Sequence, residues 1–170
     1  IDPLFAALRA TLPGLIARVR DRQAAAPSPI PLPGPFPVEA QKAIGERLMR
    51  AVGFDFERGR LDVSLHPFCG GATDDVRITT RYDAADATGA LMGVLHETGH
   101  ALYEQGRPAA WHHQPVGAAR GMSLHESQSL LVEMQACRSA EFCAYLAPTL
   151  RAAFGGEGPA WEAKNLHRLY

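Results

Sequence analysis

Cysteine is scarce in this sequence. Cys69, Cys137 and Cys143 are an odd number without Cys-x-x-Cys spacing, which argues against a disulfide framework or a cysteine-built structural zinc site. They read as reduced thiols, so a cytoplasmic setting is expected. No apolar run approaches the length of a membrane span, and the first residues lack the basic-then-apolar order of a signal peptide. No membrane partner is therefore expected. An excess of one charge is also missing: 17 Lys and Arg against 18 Asp and Glu leave a net charge of −1. That gives no reason to expect nucleic acid or an anionic surface as partner. No internal repeat is present. What remains is a chain of 170 residues, 46% of them hydrophobic, enough for a real core. It suits one domain or a piece of a larger one. The first residue is Ile rather than Met, so the natural start is expected upstream.

The stretch that carries chemistry is Gly89 to Gly106, GALMGVLHETGHALYEQG. It holds His-Glu-x-x-His at His96, Glu97 and His100. On a helix, residues four apart share a face, so two imidazoles can bind one metal ion. Glu97 follows the first histidine and can reach a water at the metal. Leu91, Val94, Leu95, Ala101 and Leu102 form an apolar stripe on the other side, and Gly106 is placed to end the helix. Chance occurrence of the pattern on a solvated helix is the bland alternative; the two-sided character argues against it.

The rest of the chain frames this helix. Asp2-Pro3 is a helix start, with Asp as cap and Pro at the first position. Leu4, Leu8, Leu12, Leu15 and Val19 follow at helical spacing, and Pro13 should kink or divide them. PSPIPLPGPFP at 27–37 excludes a helix and predicts an extended strap; a ligand for a proline-reading domain is the alternative. Val38 to Ala51 predicts a helix ended by Gly53. Leu61, Val63 and Leu65 alternate with polar residues, as do Val76, Ile78, Thr80 and Tyr82, predicting two strands in an antiparallel hairpin. CGGATDD reads as the loop between them. Asp83 should cap the histidine helix. A long helix is expected from Ser123 to Leu146, ending before Pro148, and another begins near Ala160. The expected organisation is one domain over 1–170: helices with the strap over 1–53, the hairpin over 54–82 and metal-binding helices over 83–170.

A catalytic zinc commonly takes three protein ligands and keeps one position open. The extended three-histidine pattern fails, because Tyr103 and Gly106 stand where Gly and His are required. A Glu from a later helix is the other solution, and Glu126 is favoured. Ser123-x-x-Glu126 is also a capping box, which would reduce Glu126 to a helix cap. Glu133, seven residues on, is then a rival ligand or a partner behind the ligands. His112 and His113 are rivals by proximity alone.

Four motifs occur in order: HPF at His66 to Phe68, Asp75-x-Arg77-x-Thr79, HETGH at His96 to His100, and HESQ at His125 to Gln128. Together they resemble the carboxypeptidase Taq family of metallocarboxypeptidases across nearly the whole chain. The resemblance implies His96, His100 and Glu126 as ligands, Glu97 as general base, and zinc or cobalt as the metal. It implies a mainly α fold with a small β-sheet, the zincin-like core of a larger groove-type metallopeptidase. It implies peptide substrates shortened from the C-terminus, and homodimers or other self-association. Family members are much longer chains, and two further motifs with a carboxylate-gripping Arg are absent, so an internal fragment is expected. His66 is expected to stabilise an oxyanion or to cap its turn. Arg77 and Thr79 are expected near the peptide, which the second strand would hold by strand addition; an Asp75–Arg77 ion pair is the alternative. His125 and Gln128 are expected to line the groove or to be structural. A non-catalytic metal-binding module and a related zinc endopeptidase are the competing functions.

Overall fold

The computed structural model describes residues 1–170 and divides into two compact units, Ile1–Ile30 and Pro31–Tyr170. The first unit is built around one helix, α1 (Asp2–Ala25). Pro13 lies inside it without dividing it, and Asp2 is the first helical residue rather than the cap. None of its residues is buried; Leu4, Phe5, Leu8, Leu12, Leu15, Ile16 and Val19 are all exposed.

The proline strap at 27–37 runs into the second unit and contains no helix or strand, as its composition requires. Phe36 is buried, and its N–H donates to the carbonyl of Ala84 at 2.8 Å. Helix α2 (Val38–Ala51) has the expected bounds, and Gly53 follows with a φ of 99°. Its buried Gln41 donates to the carbonyls of Phe36 and Asp83, both at 2.7 Å. The strap is thereby tied to the segment that leads into the histidine helix.

The small sheet differs from a simple hairpin. It has three strands, β1 (Gly59–Val63), β2 (Phe68–Ala72) and β3 (Asp75–Thr80), in the order β1-β3-β2. β1 and β3 are parallel, with Leu61 opposite Ile78; β2 and β3 are antiparallel, with Cys69 opposite Ile78. The glycine-rich stretch read as a loop is thus itself a strand. β1 ends at Val63, and both Val63 and Leu65 are exposed, so their alternation marked no buried face. Thr79 reorganises this region. Its hydroxyl accepts from Ser64 Oγ at 2.7 Å and from the Phe68 N–H at 3.1 Å. The chain therefore turns back at 64–67 and inserts β2 against the far edge of β3.

Helix α3 (Ala87–Gln105) runs through the centre. Its cap is Asp86, not Asp83: the Asp86 carboxylate accepts from the Thr88 N–H at 2.8 Å. Asp83 caps only the turn before it, accepting from Ala85 N–H. Leu91, Met92 and Leu95 enter one apolar cluster with Leu48, Leu146, Leu150, Trp161 and Leu166. Val94 and Ala101 enter another with Met49, Leu61, Val76 and Ile78 from α2 and the sheet. Each such fully buried aliphatic side chain contributes about 2 kcal/mol. At the far end, buried Gln105 exchanges hydrogen bonds with the backbone of Asp55, at 3.0 and 2.8 Å. The helix is thus fixed at both ends and on two faces, and its third face is left for chemistry.

The expected long helix is broken. Helix α4 (Met122–Leu130) widens into a π-helical turn over Leu131–Ala136, with the Cys137 N–H donating to Val132 at 2.9 Å. Ser139 then caps a new helix, α5 (Ala140–Phe154), which contains Pro148 and ends at left-handed Gly155. An interior proline costs about 3 kcal/mol. Burial of Cys143, Leu146, Ala147 and Leu150 around it offsets that cost. Helix α6 (Ala163–Leu169) closes against α5.

Candidate metal centre

The third face of α3 presents His96 and His100, one turn apart as the spacing requires. Glu126, in the second turn of α4, faces both. Its carboxylate oxygens lie 3.5 Å from His96 Nε2 and 3.3 Å from His100 Nε2. One donor atom from each residue falls within 4.8 Å of the others. Nitrogen and oxygen donors about 2.1 Å from a tetrahedral ion stand roughly 3.4 Å apart, so the observed spacing fits a shared divalent cation. The capping box does not form: the residue before α4 is Gly121, and no side chain caps the helix. Glu126 keeps its carboxylate for the histidines.

Gly99 makes this approach possible. A β-carbon there would stand 2.5 Å from the Ser129 Cα and 2.6 Å from the Gln128 carbonyl oxygen. The backbones of α3 and α4 pass too closely for any side chain, and that closeness carries Glu126 over the two imidazoles.

Each histidine is held through its other nitrogen. His96 Nδ1 bonds Glu133 Oε2 at 2.9 Å, and Arg138 bonds the other oxygen of Glu133 at 2.5 Å. Glu133, one of the rival ligands, thus stands behind His96 rather than beside Glu126. It comes from the π-helical turn. His100 Nδ1 bonds His125 Nδ1 at 2.7 Å, and His125 Nε2 reaches Glu104 Oε1 at 2.8 Å. Glu104 had no motif to mark it. Its position four residues after His100 on the same face was the available signal. Both Nε2 atoms are therefore free to turn toward Glu126.

The electrostatics favour neutral imidazole at His100. Burial, then the neighbouring His125 and His96, hold His100 below its ordinary value, although Glu126 opposes them. Glu97 is buried on the same helix. Burial raises its carboxyl above the usual range; His96 opposes and Glu126 adds. Burial would also raise Glu104, but its bonds to Arg107 and His125 overcome that and bring it below its ordinary value. Cys69 on β2 is pushed up to about 12 by burial, with Glu97 and Glu104 adding. β2 itself packs against α3.

The other candidate residues make the following contacts. Arg77 pairs with Asp75 at 2.6 Å, both exposed, which matches the ion-pair reading. Thr79 clamps the turn before β2 and donates to the His66 carbonyl at 3.2 Å. That carbonyl also accepts from Ser64, while the His66 side chain is exposed. β3 lies between two strands and has no free edge to accept a peptide; the outer strands are β1 and β2, and β2 packs against α3. Gln128 contributes its backbone to the contact at Gly99, and its amide donates to Ser127 Oγ at 3.3 Å. His112 meets the Arg107 carbonyl at 3.0 Å and Asp74 at 3.7 Å, away from the cluster. All three cysteines are free thiols. No helix is long and apolar enough to cross a membrane.

Comparison with known proteins bears on the family of the chain. The family model described as carboxypeptidase Taq (M32) metallopeptidase matches residues 1–170. Thermostable carboxypeptidase 1 of Thermus thermophilus is 42% identical over 157 residues, which is 92% of this chain and 31% of that protein. Carboxypeptidase 1 of Bacillus subtilis is 37% identical over 134 residues, 78% of this chain and 26% of its own. Among solved structures, metallocarboxypeptidase 1 of Trypanosoma cruzi superposes with a TM-score of 0.94 at 46% identity, covering 99% of this chain and 35% of that one. The M32 carboxypeptidase of Deinococcus radiodurans superposes with a TM-score of 0.88 at 40% identity, covering 98% and 33%. The chain spans about a third of the length of the curated relatives it matches.

Proposed function

This chain belongs to the carboxypeptidase Taq family of metallopeptidases, and from that premise we propose that it carries the metal-binding core of a metal-dependent carboxypeptidase. The family implies a divalent metal; the proposed ion is zinc, with cobalt as an alternative. The observation that carries the reading is the cluster of His96, His100 and Glu126, with both Nδ1 atoms occupied and both Nε2 atoms facing one carboxylate. Two imidazoles and a carboxylate are the donor set of many catalytic zinc sites.

The chemistry that a bound divalent ion supplies is polarisation of the scissile carbonyl and a lower pKa for water. The protein supplies the rest. His96, His100 and Glu126 would hold such an ion. Glu97, its basicity raised by burial, takes a proton from water and returns it to the leaving amine. The free edge of β2 offers N–H and C=O groups to an extended peptide, which gives affinity without side-chain preference. The proposed substrates are peptides, shortened one residue at a time from the C-terminus. The proposed assembly is a homodimer, supported by the exposed apolar stripe of α1; sedimentation velocity tests it.

The test of function is release of a free amino acid from an N-blocked dipeptide in the presence of zinc or cobalt. Metal-dependent release, absent in His96→Ala, is the expected result. Cleavage within a doubly blocked peptide would instead make the enzyme an endopeptidase. Stoichiometric metal uptake without hydrolysis of either would leave a binding module.

A further inference from the structure

Glu104 belongs to no recognised pattern, yet it ends a chain of hydrogen bonds that begins at the candidate metal site. Arg107 Nη1 donates to Glu104 Oε2 at 2.6 Å, and Arg107 Nε donates to the Gly117 carbonyl at 2.7 Å. The carboxylate is thereby fixed in place. Its other oxygen meets His125 Nε2 at 2.8 Å, and His125 Nδ1 meets His100 Nδ1 at 2.7 Å. An ionised carboxylate only accepts, so the hydrogen on this side of His125 must sit on Nε2. When His125 carries that single hydrogen, its Nδ1 is bare. The short contact between the two Nδ1 atoms needs one hydrogen, and only His100 can provide it. That leaves His100 Nε2 with its lone pair exposed, 3.3 Å from Glu126 Oε2. Every link dictates the next, from Glu104 outward to the ligand atom.

Resting on the metal-site reading above, we propose that Glu104 and His125 are positioning residues that fix His100 in its metal-binding tautomer and orientation. The two sides of the site then differ in construction. His96 is oriented by a carboxylate directly, whereas His100 is oriented by a carboxylate acting through a second imidazole. His125 has a further effect because it precedes Glu126 in the chain. Its two ring bonds tie the start of α4 to α3 at His100 and Glu104, one turn apart. The ring of Tyr103, at 4.9 Å, packs edge-on against it. The relay that sets the tautomer of one ligand thus also fixes the backbone that carries another.

The test uses zinc alone, titrated against a chromophoric chelator in the full chain, with the visible spectrum of the cobalt form as a second readout. Wild type should bind one ion and His96→Ala should not; failure of that step would overturn the site itself and the relay with it. Glu104→Ala and His125→Ala should each weaken zinc binding about 10–100-fold and shift the cobalt bands. The double variant should lose no more than His125→Ala alone, because the two residues act in series. Glu104→Gln retains an acceptor and should recover most of the affinity. If Glu104 only braces the loop at Gly117, the losses will add and the cobalt spectrum will stay unchanged, and the proposal is then overturned. Should Glu104→Ala fail to fold, the histidine tautomers of the zinc-loaded wild type decide by long-range proton–nitrogen NMR. His125 protonated at Nε2 supports the relay; His125 protonated at Nδ1 refutes it.

Discussion

Gly99→Ala should damage metal binding far more than it damages the fold. A methyl group at residue 99 would lie 2.5 Å from the Ser129 Cα and 3.0 Å from the Gln128 carbonyl carbon. Both obstacles are backbone, so no rotamer change relieves them. Ordinary contact begins near 3.4 Å, so α3 and α4 must part locally by roughly 0.9 Å. Overpacking of this kind costs about 1–3 kcal/mol. Alanine returns up to about 1 kcal/mol of helix propensity at a mid-helix position. The net loss of stability is therefore modest. The site is less forgiving, because coordination distances hold to within about 0.2 Å. Moving the backbone two or three residues beyond Glu126 by several times that tolerance should weaken zinc binding at least tenfold. Chelator competition measures the affinity, and thermal unfolding of the metal-free protein measures the fold. Gly93→Ala is the control: nothing lies within 4 Å of its β-carbon, so it should stabilise α3 by up to about 1 kcal/mol. Gly99→Ala with wild-type zinc affinity would refute the claim that this close approach places Glu126.

Three further outcomes are expected. Glu97→Gln should bind zinc within about threefold of wild type but lose roughly 10²–10⁴-fold in peptide hydrolysis, since an amide cannot carry the proton; equal loss of binding and rate would make Glu97 structural. Asp86→Ala should cost about 1 kcal/mol by uncapping α3, and Asp86→Asn much less. The Thr88 hydroxyl, bonded to the Asp86 carboxylate, holds it below its ordinary 3.8, so its contribution is complete above that value and is lost as pH falls through the lower folded value; thermal melts of wild type and Asp86→Ala should therefore converge in acid. Arg77→Ala should leave the melting temperature unchanged within about 1 °C, because the pair with Asp75 is exposed. A large rise in KM for that variant would return Arg77 to the substrate site.

What could be read from the sequence was what local spacing controls. Helix α2 at both ends and the histidine helix at Gly106 end where expected, because apolar period and turn residues agree there; the start of the histidine helix was misplaced by the choice between Asp83 and Asp86. Their stripes are the ones buried, Ile44 and Leu48 in one helix and Leu91 and Leu95 in the other. Glu126 was ambiguous for a physical reason. A cap and a ligand present the same residues, and the difference lies in where α3 stands, which Gly99 decides. The glycine-rich β2 was missed because Cys69-Gly-Gly-Ala carries little strand propensity. It is a strand by virtue of the edge that β3 offers and the turn that Thr79 clamps. The break after α4 escaped for a similar reason: leucine, valine and methionine are ordinary helix interior, and nothing local announces a π-helical turn. Glu104 was passed over because its spacing from His100 was the sole signal and its link to that residue passes through His125, 21 positions away.

That π-helical turn has a testable purpose. In a regular α-helix, seven residues advance about 10.5 Å along the axis, so Glu126 and Glu133 would lie nearly two turns apart. Yet their carboxylates meet the two nitrogens of a single imidazole, at 3.5 Å from His96 Nε2 and 2.9 Å from Nδ1. Wide winding over Leu131–Ala136 compresses that span. Arg138, also held by the Tyr170 carbonyl at 2.6 Å, fixes Glu133 from behind. Glu133→Ala removes the acceptor that keeps a hydrogen on His96 Nδ1, and it leaves the Arg138 guanidinium without its carboxylate near a cation site. Zinc affinity should fall about 10–100-fold. Removing Arg138 as well takes away the uncompensated charge but not the lost acceptor, so Glu133→Ala/Arg138→Ala should recover only part of the loss. Full recovery in the double variant would mean that repulsion, not orientation, was the whole effect, and that Glu133 does not set the ring of His96.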